Sequence, residues 1–407
     1  MTTWRLAWRN VWRSPRRTGL ALTAMALSVA LVLAYDSILR GYGNWLVDAI
    51  TGPMLGHVQV HAPEWRRERT MDRTIPHVSQ LLERIATDPS VTGVTARIYA
   101  PALVAVGDEG FSALVVGLIP VRDTGPSRLL DGRSPAPAGK GVLVGRALAE
   151  QMGVTTGVTL AIVGQGVDGS TANDLYTVLG VIETPLDLVN RQGVLMALPE
   201  AQALFALDDE AHELVVHGRA SAQAPALARH LASLPVLSGL EILDWRALAP
   251  QMVSMLEIVD MAWLLVLGLV MVAAAAGVAN TMLMATFERT REFGMLLSLG
   301  TRPSRIVRLV LAEAVVLGVL GAAIGSAAGL SLVYATRNGL DYAALTGGGP
   351  SAVSFGGIRM TLMLYPALTM VDVLRLVSAV VLTSLAAAAW PAVRAAHLEP
   401  AQAMRRA

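Results

Sequence analysis

Histidines, a common choice for proton transfer and metal binding, are few in this chain of 407 residues. His57 and His61 lie four residues apart in an alternating stretch. On a strand this spacing puts them on one face about 13 Å apart, too far for two ligands of one metal ion. We expect structural roles for both. Because no carboxylate pair, Ser/His/Asp order or nucleophile elbow stands out, we expect no catalytic residues, no metal and no enzyme activity.

A charged stretch, ERTREFGMLLSLGTRPSR, has a pattern suited to docking rather than to catalysis. Its candidate contact residues are Glu288, Arg289, Arg291, Glu292, Phe293, Gly294, Met295 and Gly300. We expect a helix to break at Gly294 or Gly300 and another to begin at Pro303. Such a helix docks into a groove of a soluble partner by its apolar side chains, while its charges set the register. The alternative is a solvated loop whose apolar residues rest on the membrane.

The first 17 residues place Trp beside Arg three times, at intervals of four. The six residues are Trp4, Trp8, Trp12, Arg5, Arg9 and Arg13. On a helix the rings share one face and the arginines form the adjoining stripe. Trp favours the membrane–water interface, and Arg beside it reaches lipid phosphates. We predict that residues 1–17 form an amphipathic helix that lies on the inner leaflet and contacts membrane lipids.

The composition indicates a membrane protein. Charged residues make up 15% of the chain, against roughly 25% in soluble domains, and the mean hydropathy is +0.52. The net charge is only +1. Because the basic residues cluster at the termini and in one internal connection, they favour oriented membrane insertion over nucleic-acid binding. The chain has no cysteine, which excludes disulfides and cysteine metal sites.

Four apolar stretches are long enough to cross a hydrocarbon core of roughly 30 Å, which needs about 20 helical residues. They are residues 18–40, 258–286, 306–336 and 371–391. A cleaved signal peptide is an alternative for the first stretch. Its apolar run is long and continues without a small-residue cleavage site, which favours an uncleaved anchor.

Arginines in the short connections set the expected orientation. They cluster in residues 1–17, in the connection 287–305 and in the tail 392–407, which all fall on one side of a four-span chain. We expect both termini in the cytoplasm, and residues 41–257 and 337–370 on the opposite side.

Residues 41–257 have the pattern of a folded α+β domain. Apolar runs predict strands near residues 57–61, 113–119, 157–163, 176–182 and 212–217, and helices over 147–152 and 222–232. The length allows two lobes, with an inner lobe at about 131–207 inserted into the first. The predicted fold is an α-helical bundle of four transmembrane helices, with a large α+β extracytoplasmic domain inserted between helices 1 and 2.

Small residues in the third span predict close helix packing. Glycines recur at intervals of three or four, at Gly318, Gly321, Gly325 and Gly329. This spacing lets the backbone of another span or of a second protomer approach closely. The Ala/Gly-rich composition alone is the alternative explanation.

Polar residues within the spans predict contacts between helices. At Glu313 a charge that faced lipid would cost roughly 2.5–3.5 kcal/mol. We expect it to face a partner, such as Arg308 or a polar seam, or else to snorkel towards the cytoplasm. Asn280 and Thr281 are candidates for hydrogen bonds across helices.

Several motifs resemble the FtsX-like and MacB-like permeases of ABC transporters. The stretch from Glu288 to Gly300 is similar to the coupling loop of that family, E-R-x-x-E followed by a hydrophobic residue, Gly and a further hydrophobic run to a second Gly. Residues 390–405 are similar to its C-terminal motif, residues 141–162 to the outer core domain of MacB-like proteins, and residues 9–17 to its N-terminal start. The resemblance covers nearly the whole chain.

Two features narrow the resemblance. The chain has no G-x-x-x-x-G-K-[ST] motif, and the nearest glycine-rich piece, residues 164–170, lacks the Lys. This implies that ATP and Mg are bound by a partner ATPase and that this chain binds no cofactor. Size and layout, together with the GHVQVH stretch at residues 56–61, are most similar to the lipoprotein-releasing subunits LolC and LolE.

The resemblance implies a transport subunit of the bacterial inner membrane that works by mechanotransmission. The implied partners are two copies of a cytoplasmic ATPase, a second permease that is identical or homologous, a lipoprotein cargo and a periplasmic carrier. The loop with Pro185 and Arg191 is the candidate carrier contact. The alternatives are efflux of a small hydrophobic compound or peptide, and signalling to an outer hydrolase without transport.

Overall fold

The computed structural model describes residues 3–119, 139–183, 187–341, 352–355, 358–361 and 363–397. They form two compact units. The helical unit comprises Met1–Asn44, Met255–Tyr342 and Met363–Ala407. The sheet unit comprises Trp45–Ser254 and Ala343–Leu362.

Helices occur in both units. In chain order they are α1 (Thr3–Val11), α2 (Pro15–Ile50), α3 (Trp65–Glu68), α4 (Val78–Ala86), α5 (Arg146–Met152), α6 (Asp187–Gln192), α7 (Leu198–Leu204), α8 (Ala224–Ala232), α9 (Trp245–Leu248), α10 (Pro250–Glu288), α11 (Thr290–Ser298), α12 (Pro303–Ala335) and α13 (Met370–Ala396). A π-helical turn, Thr51–Leu55, follows α2.

Four helices, α2, α10, α12 and α13, are long and apolar enough to cross a membrane. This confirms the prediction of four apolar helices. Each is longer than its predicted span, because the helical hydrogen bonding continues into flanking polar residues. Local chemistry sets two of the ends: Pro303 occupies the first turn of α12, and Thr369 and Asp372 form a capping box at the start of α13.

The glycines of α12 lie where neighbouring helices come closest. A Cβ added at Gly325 would lie 2.6 Å from the carbonyl oxygen of Ala26 in α2. Gly321 and Gly329 face Met25 and Leu33 of α2 in the same way. Gly318 instead faces Ser384 of α13. The stripe is therefore filled by helices of the same chain.

The strands of the sheet unit form a nine-stranded sheet in the order β3-β7-β4-β6-β5-β2-β8-β1-β9. Their bounds are β1 (Val58–His61), β2 (Val91–Val106), β3 (Glu109–Leu118), β4 (Gly141–Gly145), β5 (Thr159–Gln165), β6 (Thr171–Ile182), β7 (Gly193–Ala197), β8 (Glu213–Gly218) and β9 (Glu241–Asp244). Short pieces follow as β10 (Leu340–Asp341), β11 (Ala352–Phe355), β12 (Ile358–Thr361) and β13 (Met363–Leu364).

Strand β2 joins the two halves of the sheet. Residues from Val91 to Arg97 pair with β8, and residues from Arg97 to Val106 pair with β3. Leu103 to Ala105 also pair with β5. Because β3 is in turn paired with β7, strands β2, β3, β7, β4, β6 and β5 close into a ring.

The predicted division into two lobes does not appear as a break in the core. One hydrophobic cluster extends from Val58 and Val60 of β1 to Val142 of β4 and Val194 of β7. The predicted inner lobe lies partly outside the described residues, and its described strands belong to the same sheet as the rest of the unit. The two halves of the sheet are continuous because β2 has 16 residues and pairs with β8 in one half and with β3 in the other.

Filling the contact between α12 and α2 should destabilise the helical unit. In Gly325→Val the new side chain meets the α2 backbone, and such overpacking costs about 1–3 kcal/mol. We expect a lower midpoint of thermal unfolding in detergent. Gly19→Val is the matched control, since a Cβ at Gly19 in α2 has nothing within 4 Å. Equal midpoints for the two variants would contradict the packing described here.

Candidate coupling site

The candidate site is built around α11, hereafter the coupling helix. It follows α10 almost directly, since only Arg289 separates the two helices. Its other end is closed by Gly300, which has φ +84°, and by hydrogen bonds from the Gly300 and Thr301 amides to the Leu297 and Leu296 carbonyls. This is a Schellman motif, which favours glycine at this position. Of the two predicted break points, Gly300 is therefore the break, whereas Gly294 lies inside the helix.

The inner face of the coupling helix is fixed by apolar packing. Phe293 is fully buried and belongs to the cluster that includes Val11 of α1 and Ala392 of α13. Gly294 beside it is also buried. The guanidinium carbon of Arg289 lies 5.0 Å from the centroid of the Phe293 ring, a cation–π contact.

A network of charged side chains surrounds the start of the coupling helix. Arg289 Nη1 donates to Glu313 Oε1 of α12 at 2.8 Å, and Asn10 Nδ2 of α1 donates to the same oxygen at 2.6 Å. Arg289 Nε donates to Glu292 Oε2 at 3.1 Å, and Arg13 Nη1 donates to Glu292 Oε1 at 2.5 Å. Two members of the network, Asn10 and Arg13, therefore come from the C-terminal end of α1 and the residues just after it.

A further ion pair strengthens this link. Arg17, at the start of α2, donates through Nη2 to Glu288 Oε2 at 2.6 Å, at the end of α10. Residues 1–17, hereafter the N-terminal segment, are thus ion-paired both with the last residue of α10, through Arg17, and with the first turn of the coupling helix, through Arg13.

Of the partners expected for Glu313, Arg308 was wrong, whereas a polar seam is present. Arg308 donates through Nε to the Ser304 carbonyl of its own helix. Glu313 is 5% exposed, so it does not snorkel, and it contacts Arg289 and Asn10. Groups from α1 and from the junction between α10 and α11 both contact this carboxylate of α12. No pattern within α12 alone predicts these contacts.

The titration behaviour of the network agrees with ion pairing. Burial raises the pKa of Glu292, but the hydrogen bonds from Arg13 and Arg289 outweigh it, so its pKa lies below the usual value. Burial lowers the pKa of Arg289, but Glu313 and Glu292 outweigh it and the net pKa is raised. Both groups are charged at neutral pH.

The outer face of the coupling helix is apolar and exposed. Met295 is 50% exposed and Leu299 is 77% exposed, and Leu296 beside them is also exposed. Arg291 lies exposed on the same helix. The arrangement fits a helix that is anchored on one side and presents an apolar, charge-flanked surface on the other.

The predicted lipid-contacting residues fall into two groups. Trp4, Trp8 and Trp12 of the N-terminal segment are about half exposed, as expected for interfacial rings. Arg5 and Arg9 are exposed as well. Arg13, by contrast, is paired with Glu292 and so belongs to the charged network. Asn10 and Arg17 were not among the predicted site residues, because their partners in the network, Glu313 and Glu288, are more than 200 positions away.

The remaining predicted residues lie elsewhere. Pro185 lies outside the described residues, and Arg191 is an exposed residue of α6 in the sheet unit. Thr281 donates to the Gly277 carbonyl of its own helix rather than across helices. His57 Nδ1 accepts from the Gly218 amide at 2.8 Å, which is a structural role. Among the described residues, no three His, Asp or Glu side chains form a group that fits a metal ion.

Two protein families match this chain. The MacB-like periplasmic core domain family matches residues 18–234. The chain belongs to this family. The FtsX-like permease C-terminal family matches residues 264–400, which include the coupling helix. Together the two matches make the chain an ABC transporter permease.

The LolC relatives have low sequence identity to this chain but align with most of its length. The lipoprotein-releasing system transmembrane protein LolC of Xylella fastidiosa is 22% identical over 422 aligned positions, which cover 97% of this chain and 96% of that protein. LolC of Neisseria meningitidis is 19% identical and covers 77% of this chain and 76% of its own length. A macrolide export ATP-binding/permease protein MacB of Rhodopirellula baltica is 41% identical over 66 residues, 16% of this chain and 10% of that protein.

The permease also contains a buried polar row in the sheet unit, which the sequence did not reveal. His61, Glu213 and Arg97 lie side by side on β1, β8 and β2. Glu213 Oε2 is 3.5 Å from His61 Nε2, and Glu213 Oε1 is 3.6 Å from Arg97 Nη1. The ring of Trp65 stacks on His61 and also on His212. Three separate segments of chain supply these groups, so no local motif marks them.

Removing the cation of the buried pair should destabilise the permease strongly. Arg289→Ala leaves the Glu313 carboxylate buried with only Asn10, and an uncompensated buried charge costs about 3–5 kcal/mol. We expect that loss in the free energy of unfolding in mixed micelles. In the double variant Arg289→Ala/Glu313→Gln much of it should return, because no buried charge remains. Arg291→Ala, at an exposed position, is the control; a loss as large as that of Arg289→Ala would exclude the pair as the cause.

Acid should weaken the sheet unit in two steps. His212 accepts from the Tyr99 amide at Nδ1 and contacts the Met71 carbonyl through Nε2, so the neutral ring satisfies both. Burial lowers its pKa below the ordinary value of 6.5. The unfolded chain therefore binds the proton more readily, and stability falls as the pH drops below about 6.5.

Glu213 adds the second step at lower pH. Burial raises its pKa, but the contacts with His61 and Arg97 outweigh it and the pKa lies below 4.5, so its contribution disappears only under more acidic conditions. Unfolding midpoints across this pH range test both steps. His212→Asn should reduce the first step, and the remainder comes from His57, whose pKa is also lowered by burial, whereas His77→Asn, at an exposed histidine, should leave the step unchanged. An unchanged first step in His212→Asn would be inconsistent with this assignment.

Proposed function

We propose that this permease transmits the movement of a partner ATPase to its sheet unit and thereby releases lipoproteins from the membrane. The observation that carries the proposal is the coupling helix. It is joined to α10 through one residue, held by ion pairs at its start, and apolar and exposed on its outer face. Helices of this kind dock into grooves of soluble partners.

The orientation follows from charge. The arginines of the N-terminal segment and of the connection between α10 and α12 mark the cytoplasmic side, so both termini are cytoplasmic. The sheet unit, which the chain forms between α2 and α10, then lies on the opposite side of the bacterial inner membrane.

Nucleotide chemistry belongs to the partner in this proposal. Two copies of a cytoplasmic ATPase bind ATP and Mg, and their closure moves the coupling helix. The single-residue junction at Arg289 passes that movement into α10, which continues without a break back to Pro250, in the chain segment that also forms the sheet unit. This chain supplies the mechanical connection and binds no cofactor itself.

A second permease, identical or homologous, is proposed to cover α10. Only 6% of the apolar stretch of α10 is buried, against 50% of that of α12. Gly268 and Gly277 on α10 have open space where a Cβ would lie, which allows another helix to approach closely. Pairing through α10 would place two coupling helices over two ATPases.

Lipoprotein is the favoured cargo because of the relatives that align along the whole chain. The two LolC proteins belong to lipoprotein-releasing systems, and one of them aligns with 97% of this chain. A periplasmic carrier that receives the cargo would contact the sheet unit, and the segment that includes Pro185 and Arg191 is our candidate surface. Arg191 is exposed and available for such a contact.

Efflux of a small hydrophobic compound or peptide is the second candidate. It is favoured by the short match to a macrolide export protein, whose identity of 41% is higher than that of the LolC relatives. The match covers only 16% of this chain, so it indicates similarity of one segment and is weaker support for the cargo than the full-length LolC alignment.

A charge on the exposed face of the coupling helix should detach the ATPase. Leu299→Asp leaves the fold intact because the side chain is 77% exposed, but it places a carboxylate in an apolar contact. At a central contact such a change costs about 2 kcal/mol or more, so the co-purified ATPase should fall by at least about tenfold. Leu188→Asp, at an exposed leucine of the sheet unit, is the control. Full ATPase recovery with Leu299→Asp would refute the docking assignment.

Mass spectrometry distinguishes the two cargo candidates. We expect the complex purified from native membranes in mild detergent to carry acylated proteins that leave when ATP is added. A bound small hydrophobic compound released by ATP, without acylated protein, would replace lipoprotein release by efflux.

A further inference from the structure

Helix α1 has two faces with different contacts. Ala7 and Val11 are buried, and Asn10 on the same side reaches Glu313 of α12. Trp4 and Trp8 on the other side are about half exposed. The helix is therefore held to the bundle on one side and open on the other.

The open side forms a groove with α12. A cavity of about 450 Å³ is lined by Trp4, Arg5, Trp8, Arg9 and Val316. Two indole rings and Val316 provide apolar walls, and two guanidinium groups provide positive charge. Val316 lies in a helix long enough to cross the membrane, one turn beyond Glu313. The groove thus combines apolar and cationic groups where the bundle meets the inner leaflet.

The charge in the groove is not neutralised within the described part of the chain. Arg13 and Arg17 of the same segment are ion-paired with Glu292 and Glu288. Among the residues that the structure describes, no ion pair involves Arg5 or Arg9. Their position beside apolar rings suits a ligand with a phosphate and a hydrocarbon tail.

We propose that this groove binds an anionic glycerophospholipid of the inner leaflet, and that occupancy of the groove stabilises the charged network that positions the coupling helix. Arg5 and Arg9 contact the phosphate, and an acyl chain lies along Trp4, Trp8 and Val316. The regulatory part rests on the proposed function, because it assumes that the coupling helix carries ATPase movement.

The link from lipid to coupling helix runs through α1. The lipid holds the first two turns of α1, and Asn10 and Arg13 at its end hold Glu313 and Glu292. When the groove is empty, α1 is restrained by fewer contacts, and the bond from Asn10 to Glu313 is populated less. Glu313 and Glu292 then lose the donors that the segment around α1 supplies, so fewer contacts hold the start of the coupling helix.

The first experiment measures lipid binding alone. Native mass spectrometry of the full chain, equilibrated with phosphatidylglycerol or with phosphatidylcholine, reports the lipid retained. We expect preferential retention of phosphatidylglycerol, and about thirtyfold weaker retention in Arg5→Gln/Arg9→Gln, from the loss of two surface charges. Arg302→Gln, an exposed arginine outside the groove, should retain it. Equal retention of both lipids, or equal loss in the control, would overturn the site.

The second experiment measures transmission, and it uses the absence of cysteine from the chain. Leu299→Cys gives one attachment point for a nitroxide at the exposed end of the coupling helix. In nanodiscs of phosphatidylcholine, addition of phosphatidylglycerol should reduce the mobility of the label by electron paramagnetic resonance. Asn10→Ala should keep lipid retention but lose at least half of the mobility change. A mobility change of full size in Asn10→Ala would refute the transmission step.

These measurements need no ATPase, so they separate the two proposals. Loss of lipid preference would exclude the lipid site and leave ATPase docking at Leu299 intact. Normal ATPase recovery in Leu299→Asp, together with lipid-dependent mobility at position 299, would exclude the coupling function and leave the lipid site intact.

Discussion

Glu313 places a carboxylate inside a helix that is long and apolar enough to cross a membrane, and Arg289 supplies the charge that makes this position tolerable. A charge facing lipid there costs roughly 2.5–3.5 kcal/mol. Arg289 and Asn10 both donate to one carboxylate oxygen of Glu313, so the charge is paired within the protein. The same two bonds fix where α1 and the coupling helix meet α12. The other contacts of this region, including Phe293 and the pair between Arg13 and Glu292, depend on that placement.

The sequence predicted features with a short-range cause. Apolar length indicated four spans, and Gly300 before Pro303 indicated a helix end, which the positive φ of Gly300 explains. Contacts between residues far apart in the chain could not be predicted from the sequence. Arg308 is five residues from Glu313 and so fits a local pairing pattern, whereas Arg289 is 24 residues away and reaches Glu313 only after the chain reverses at Gly300.

The same limit applies to the sheet unit. Strand β2 was not predicted, although it is 16 residues long and joins both halves of the sheet. Gly93 and Pro101 interrupt its apolar pattern and are typical of turns. Sheet pairing overrides them: Gly93 lies at a register shift opposite β8, and Pro101 pairs with Leu114 of β3. Without β2, the strands on either side look like separate lobes.

The ring formed by β2, β3, β7, β4, β6 and β5 has a mechanical consequence. A closed set of strands has no free edge at which hydrogen bonds can be peeled apart one at a time. A force applied at one strand is instead shared around the circumference and loads many hydrogen bonds in shear. Such a ring resists deformation, whereas β9, the last strand before α9 and α10, lies at the open edge of the sheet outside it.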